Sequence, residues 1–142
     1  MSDPITMRGA IGGREPTGVW TRRLVLFLRA MAGLSMLKGL YHWAAVLGVG
    51  EDPSGFGFEA NFTSWQAATI FFAVIDLVAA VGLWLAAAWG GVVWLTAAIS
   101  MAAVEGFFPQ IFGGRIWVVA IELAGILGYV GIALMAARER PP

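Results

Sequence analysis

The sequence of 142 residues contains no cysteine and a single histidine. The lack of cysteine excludes disulfides, thiolate metal sites and thiol redox chemistry, and one histidine excludes a histidine-rich metal site within one chain. Charged residues make up 13% of the chain, against about 25% in soluble domains, and the net charge is zero. No basic face is available for nucleic acid. We therefore expect no metal, no cofactor and no nucleic-acid partner.

Apolar residues dominate what is present, at 59% of the chain with a mean hydropathy of +0.78. Too few polar groups remain to cover a globule in water, so the sequence predicts an integral membrane protein. Each of four apolar segments is close to the ~20 residues that a helix needs to cross ~30 Å of hydrocarbon. Helices satisfy their own backbone hydrogen bonds in lipid. The prediction is an all-α fold, an integral membrane four-helix bundle with spans at about 24–47, 65–88, 90–108 and 116–137.

Arginines predict the orientation of the bundle. They precede or enter the first span and follow the last, at Arg8, Arg14, Arg22, Arg23, Arg29, Arg138 and Arg140. The loop after the first span contains Glu51, Asp52 and Glu59 but no lysine or arginine, so the positive-inside rule places both termini in the cytoplasm. Arg115, in the second outer loop, is an exception. We expect a mobile cytoplasmic tail over 1–20, a transmembrane domain over 21–138 and a second tail over 139–142.

Local motifs predict where the spans end. Thr63 and Gln66 have the spacing of a capping box, with a threonine N-cap and a glutamine three residues later. The stretch AAAWGG at 86–91 predicts a tight cytoplasmic turn in which glycine supplies backbone freedom. Pro109, in FFPQIFGGR at 107–115, predicts the end of the third helix at a short outer turn.

Tryptophans and small residues add expectations about interfaces and packing. Trp20, Trp84 and Trp89 mark the inner membrane surface and Trp43, Trp65 and Trp117 the outer one, as in an aromatic belt. Ala120, Ala124 and Gly128 recur every four residues on the last span. Small faces allow helices to approach closely in lipid, so a compact bundle is expected.

Every span carries at least one ionisable residue. With each span's centre as the midplane, Asp76 lies at the centre, Lys38 about 3 Å outward, Glu122 roughly 6 Å outward, and His42 and Glu105 roughly 9 Å outward. A charge at the bilayer centre costs at least ~2.5–3.5 kcal/mol. These five residues are therefore predicted to meet inside the bundle as an intramembrane polar cluster.

Depth and helix geometry suggest how the cluster pairs. Lys38 and His42 are four residues apart, hence on one face of a helix. Lys38 is expected to pair with Asp76, and His42 with Glu105 or Glu122. Three acids face at most two cations, so we expect one acid (Glu105 or Glu122) to be protonated, or His42 to be charged. The cluster is compatible with a static structural network, a docking point for a subunit, or proton or ligand handling.

Two stretches, LRAMAGLSMLKGLYHWAAVLG and ATIFFAVIDLVAAVGLWLA, resemble the small four-span membrane proteins of the DoxX-like group. The chain is still more similar, over roughly 22–137, to an uncharacterised family of this size from alphaproteobacteria. The resemblance implies the four-span architecture and a place in the bacterial inner membrane. Some DoxX-like members are associated with quinone-linked sulfur oxidation or oxidative-stress complexes. No catalytic motif matches residue by residue, so the resemblance implies no active-site residues.

Together these features predict a small protein without catalytic activity of its own, acting as an accessory or assembly subunit of an inner-membrane complex. Its expected partners are the lipid bilayer and other membrane subunits or a second copy of the chain. Two alternatives stay open. The first is a small proton-coupled transporter that uses the polar cluster, for which four spans would require a homodimer. The second is a quinone-linked oxidoreductase subunit of the DoxX-like kind.

Overall fold

The computed structural model describes residues 18–50 and 57–139. This part of the chain is helical, which confirms the all-α prediction, and four of its five α-helices are long and apolar enough to cross a membrane. The elements are α1 (Val19–Val46), a 3-10 turn (Phe58–Ala60), α2 (Thr63–Trp84), α3 (Ala88–Phe107), the short α4 (Pro109–Phe112) and α5 (Ile116–Arg138).

The long helices agree with the predicted spans to within five residues at each end. Helix α1 begins at Val19, so the last two residues of the predicted tail over 1–20 belong to a helix. Helix α2 ends at Trp84 and not at residue 88, the predicted end of the second span. Ala88 is already the first residue of α3. Residues 1–17 and 140–142 of the predicted tails, with Glu51 and Asp52 of the acidic loop, lie outside the described residues.

The predicted capping box is wrong. Phe62 occupies the N-cap of α2, Thr63 is already helical, and no side chain caps the helix. Gln66 instead donates from Nε2 to the carbonyl oxygen of Phe58 at 3.0 Å. Its amide therefore fixes the 3-10 turn against the start of α2.

The glycines after the second span have a different role from the predicted one. The turn is made at Ala86, whose φ of 51° is left-handed, while Gly90 and Gly91 lie inside α3. A Cβ on Gly82 would collide with the backbone of Gly90, and a Cβ on Gly90 with the backbone of Gly82. These two glycines therefore bring α2 and α3 into backbone contact, as small residues do between membrane helices.

The four long helices pack in a ring in which each contacts the next, and α5 returns to α1. The centre of the core comes from α1, α2 and α3 and contains Leu28, Ala32, Ala79, Leu83, Trp94 and Ala98. Trp94 packs edge-on against Phe27 and against Tyr129. Its ring therefore links α3 to both α1 and α5.

Helix α5 is the least buried of the four. Its buried residues are Glu122 and Ala136. Ala120 and Ala124 are exposed, so the small-residue row on this span does not face the core as a whole. Gly128 is the member that faces α1, where the ring of Phe27 lies next to it.

Candidate functional site

Lys38 lies at the centre of a buried ionic cluster formed by α1, α2 and α5. Its Nζ donates to Glu122 Oε1 at 2.5 Å and lies 3.8 Å from Asp76 Oδ1. His42 Nδ1 lies 4.0 Å from the other oxygen of the same carboxyl, Asp76 Oδ2. Four of the five predicted residues thus meet inside the bundle. The predicted pair of Lys38 with Asp76 is present, but Glu122 is the nearer partner.

Helix geometry fixes the arrangement of His42. The ring Nδ1 donates to the backbone carbonyl of Lys38, one turn earlier, at 2.9 Å. Because a carbonyl oxygen can only accept, Nδ1 carries the hydrogen, and in the neutral ring Nε2 is then the acceptor. The ring also packs against Phe72 and Phe112. His42 is therefore oriented by the backbone and by aromatic rings, and its predicted pairing with Glu105 or Glu122 is wrong.

Asp76 is fully buried on α2. Within the part of the chain that the structure describes, neither of its carboxyl oxygens has a hydrogen-bond partner, and neither does Thr69 Oγ1. Lys38 is the single full cation against two carboxyls, Asp76 and Glu122. Buried polar groups are rarely left unpaired, and an unpaired buried carboxylate is costly. The cluster therefore has room for one more hydrogen-bond donor or one more proton.

Glu105 lies apart from this cluster and forms a second ionic contact with Arg115. Its Oε1 accepts from Arg115 Nε at 3.0 Å and Nη2 at 2.8 Å, and its Oε2 accepts from the Arg115 backbone N–H at 2.8 Å. Both guanidinium N–H groups thus converge on one carboxylate oxygen while the backbone N–H takes the other, and hydrogen bonds between charged groups are stronger than those between neutral ones. The prediction that Glu105 belongs to the intramembrane polar cluster is therefore wrong, because Arg115 binds both oxygens of its carboxylate.

The signal for this contact is in the sequence. Ten residues separate Glu105 from Arg115, and the turn between them contains Pro109 and two consecutive glycines, Gly113 and Gly114. Both glycines adopt positive φ, 96° and 63°. This left-handed turn brings the chain back onto the end of α3 and places Arg115 over the Glu105 carboxyl.

A cavity of about 330 Å³ opens beside the ionic cluster, a volume at the small end of the range for ligand pockets. Most of its lining is apolar and comes from α1 and α5, with Trp94 and Met101 from α3. The side chains with polar atoms that line it are Ser35, Lys38, Tyr41, His42, Arg115 and Glu122, besides the indole of Trp94 and Trp117. The arrangement suits a molecule with an apolar body and a polar or charged group.

Among the described residues, no group of three His, Cys, Asp or Glu side chains could hold a metal ion. The acids that do converge, Asp76 and Glu122, share Lys38 as a neighbour. That ammonium occupies the position that a cation would take.

The chain belongs to a family of unknown function, DUF6163, whose model matches residues 22–140. This range contains the ionic cluster, the cavity and all of the bundle except the first three residues of α1. The match is consistent with the predicted membership of an uncharacterised family. No curated protein and no solved structure matches the chain.

Proposed function

We propose that this protein spans the bacterial inner membrane four times with both termini cytoplasmic, and carries a small amphipathic anion together with a proton. The anion would bind in the cavity between α1 and α5. Arginines at the start of α1 and Arg138 at the end of α5 favour this orientation. Glu139 accepts hydrogen bonds from the backbone N–H groups of Trp20 and Thr21, so the described ends of the chain are on the same side of the bundle.

The observation that carries the proposal is the position of Lys38 at the cavity wall, between two carboxyls. Its side chain is 23% exposed, whereas Asp76 is fully buried and Glu122 nearly so. An anion that enters the cavity therefore reaches the ammonium from its open side. Isolated ionisable groups at this depth are costly and mark substrate or proton pathways in membrane proteins.

Competition for Lys38 couples the anion to a proton. An anion on the ammonium displaces the carboxylate of Glu122, which is then buried without a cation. Breaking a buried pair in this way costs about 3–5 kcal/mol, and protonation of Glu122 removes the uncompensated charge. The anion and the proton enter together, and the net charge of the cluster does not change.

The cavity also limits the substrate class. Its apolar walls match a short hydrocarbon body, while Lys38 provides one site for an anionic head. The Arg115 guanidinium is neutralised by Glu105, so a second anionic group would have no unpaired cation to bind. A small monocarboxylate with an apolar chain fits these requirements.

Calorimetric titration of the purified full-length protein with butyrate, hexanoate and octanoate tests this proposal. In two buffers of different ionisation enthalpy, binding is expected to take up about one proton per anion. Lys38→Met should abolish binding, Lys38→Arg should retain it, and Glu122→Gln should bind without proton uptake because the amide cannot accept the proton. Binding by Lys38→Met, or unchanged proton uptake by Glu122→Gln, contradicts the mechanism.

Flux in proteoliposomes tests the carrier role separately from binding. A proton gradient directed inward, with the lower pH outside, should drive uptake of the anion that binds best. The matched control protein, Gly106→Ala, should transport this anion equally well. A Cβ at Gly106 meets no atom within 4 Å, so this control leaves the site unchanged. Binding without flux would contradict the carrier role and would indicate that the protein is a ligand-binding subunit.

A second candidate function is the accessory or assembly subunit that the sequence predicts. The low burial of α5 favours it, because this helix offers an apolar face with the small residues Ala120 and Ala124 exposed. The partner would be another membrane subunit or a second copy of the chain. A stable larger complex recovered from native membranes in mild detergent supports this role.

The resemblance to the DoxX-like group and to alphaproteobacterial proteins supports a third candidate, a quinone-linked subunit. An apolar cavity lined by Lys38 and His42 offers an ammonium that can donate to a quinone carbonyl oxygen and an imidazole Nε2 that can accept from a quinol hydroxyl. Organic extraction of the protein purified from native membranes tests this role. A stoichiometric quinone in the extract supports it, and a quinone-free extract contradicts it.

A further inference from the structure

A second hollow, on another face of α1, is apolar throughout. It has a volume of about 370 Å³ and lies between α1 and α2. Its lining includes Ala32, Gly33 and Met36 of α1 and Ala80, Val81 and Trp84 of α2. At 100° per residue, Gly33 and Met36 point away from Lys38. The hollow is therefore separate from the proposed anion cavity.

Arg29 lies at one end of this hollow. Its guanidinium carbon is 5.5 Å from the ring centroid of Trp84, the last residue of α2. Arg29, Gly33 and Met36 follow one another at intervals of four and three residues, hence on one face of α1. Arg22 lies seven residues before Arg29 on the same face and is exposed. An apolar hollow thus leads to Arg29, with Arg22 two turns further along the same face, at the end of the bundle that the proposed orientation places in the cytoplasm.

The charge of Arg29 is available to a ligand. The ion pairs among the described residues involve Lys38, His42 and Arg115 as the cations, and Arg29 is exposed beside an aromatic ring. Arg115, by contrast, is held by the Glu105 carboxyl. A guanidinium that is stacked on an aromatic ring keeps its N–H donors in a plane that matches phosphate oxygens.

The hollow also has free space where a chain would lie. A Cβ built on Gly33 meets no atom within 4 Å, so the glycine leaves a gap beside Met36 and Val81. Trp84 is at the inner end, where tryptophan belongs at the level of lipid headgroups. The hollow therefore begins at the headgroup level, where phosphate can meet Arg29, and continues towards the bilayer centre, where an acyl chain can lie.

We propose that the α1–α2 hollow binds one anionic phospholipid of the cytoplasmic leaflet. One acyl chain occupies the hollow along Gly33 and Met36, and the phosphate accepts hydrogen bonds from Arg29, with Arg22 adding attraction at longer range. Basic pockets between membrane helices on the cytoplasmic side recognise anionic headgroups in this way.

Native mass spectrometry of the full-length protein in mild detergent tests the proposal, with dioleoylphosphatidylglycerol and dioleoylphosphatidylcholine as matched probes. The anionic lipid should be retained in preference to the zwitterionic one. Arg29→Gln should weaken retention of the anionic lipid about fivefold, and Arg29→Lys should weaken it less. Arg138→Gln is the matched control, since it removes one arginine from the same end of the bundle but on α5, which does not line the hollow.

Filling the hollow provides a second test that leaves the charge unchanged. Gly33→Leu should block both lipids because its side chain enters the space of the acyl chain. Gly131→Leu is its control, since a Cβ there also meets nothing within 4 Å but lies on α5. Thermal unfolding confirms that each variant is folded.

Three results would each overturn the proposal. They are equal retention of the two lipids by the wild-type protein, equal losses in Arg29→Gln and Arg138→Gln, and full lipid retention by Gly33→Leu. The second result would indicate a general surface attraction, and the third would place the acyl chain elsewhere.

Discussion

The α2–α3 hairpin and the α1–α5 seam join helices of similar length by different means. In the hairpin, Gly82 and Gly90 bring the two backbones into contact, and the neighbouring small residues Ala79, Ala80, Ala97 and Ala98 are almost completely buried. At the seam, the helices enclose a cavity of about 330 Å³. Polar contacts hold them together there, with Lys38 bonded to Glu122 and the α1 N-terminus bonded to Glu139.

The difference shows where a small membrane protein has space for a ligand. Apolar helices gain nothing from each other by burial in lipid, so close packing or hydrogen bonds must hold them. Close packing in the hairpin leaves no space. Ionic contacts act at a few points and leave space between them, and protonation or a ligand can change their strength. The hairpin is thus a scaffold, and the seam is where the candidate chemistry lies.

The largest expected effect comes from breaking the central contact of the seam. Lys38→Met leaves Asp76 and Glu122 buried without a cation, and removal of one partner from a buried pair costs about 3–5 kcal/mol. The measurement is unfolding in mixed micelles with increasing SDS, followed by tryptophan fluorescence. The double variant Lys38→Met/Glu122→Gln should be more stable than Lys38→Met, because it removes one of the two uncompensated carboxylates. A double variant that is as unstable as the sum of its single variants would contradict the pairing.

The next largest effect tests the hairpin. Gly90→Ala puts a methyl group against the backbone of Gly82 and forces α2 and α3 apart, at a cost of about 1–3 kcal/mol. Gly131→Ala is the matched control, since its methyl group meets open space and alanine is the better helix former by about 1 kcal/mol. The same SDS unfolding series measures both. A Gly90→Ala protein as stable as the control would show that the hairpin does not depend on this contact.

A smaller effect is expected beside the seam, where Glu105 of α3 holds Arg115, the residue that precedes α5. Glu105→Gln replaces a charged acceptor by a neutral amide and should lower the free energy of unfolding by about 1.5 kcal/mol. The penalty stays modest because the Arg115 side chain is 40% exposed and water can solvate its charge. Gln110→Ala, an exposed change in the same turn, is the control. Equal stability of the two variants would show that the pair contributes nothing to holding α5.

The number and approximate limits of the long helices were predictable, because each is a continuous apolar run near the length of a membrane span. The ends were less predictable, since Phe62 caps α2 through its backbone alone and Ala86 accepts a left-handed conformation that the pattern assigned to glycine. Gly90 lies in the backbone contact between α2 and α3 and not in the turn. The positions of glycines in the sequence do not by themselves distinguish a contact from a turn.

Depth along a helix identified four members of the ionic cluster, but it carries no information on which neighbour lies closest. Lys38 is nearer to Glu122 than to Asp76 because α5 returns to α1, a fact of bundle order that no single segment encodes. Glu105 was misassigned for a related reason, since its partner Arg115 lies in a turn that was treated as outside the membrane. The cavity results from two helices that do not fully pack and has no motif of its own.

The smallest expected effect lies at the end of the seam where Glu139 meets the start of α1. The backbone N–H of Trp20, aided by Thr21, holds the pKa of the Glu139 carboxyl below its usual value of 4.5. A carboxyl whose folded pKa is depressed stabilises the protein at neutral pH, and this contribution is lost as the pH falls below about 4.5. Glu139→Gln should therefore lower the Tm slightly at neutral pH, and the difference from wild type should disappear in acid. Since this carboxyl is fully exposed, added salt should also reduce the difference. A difference that persists at low pH would mean that the carboxylate charge does not hold the two helix ends together.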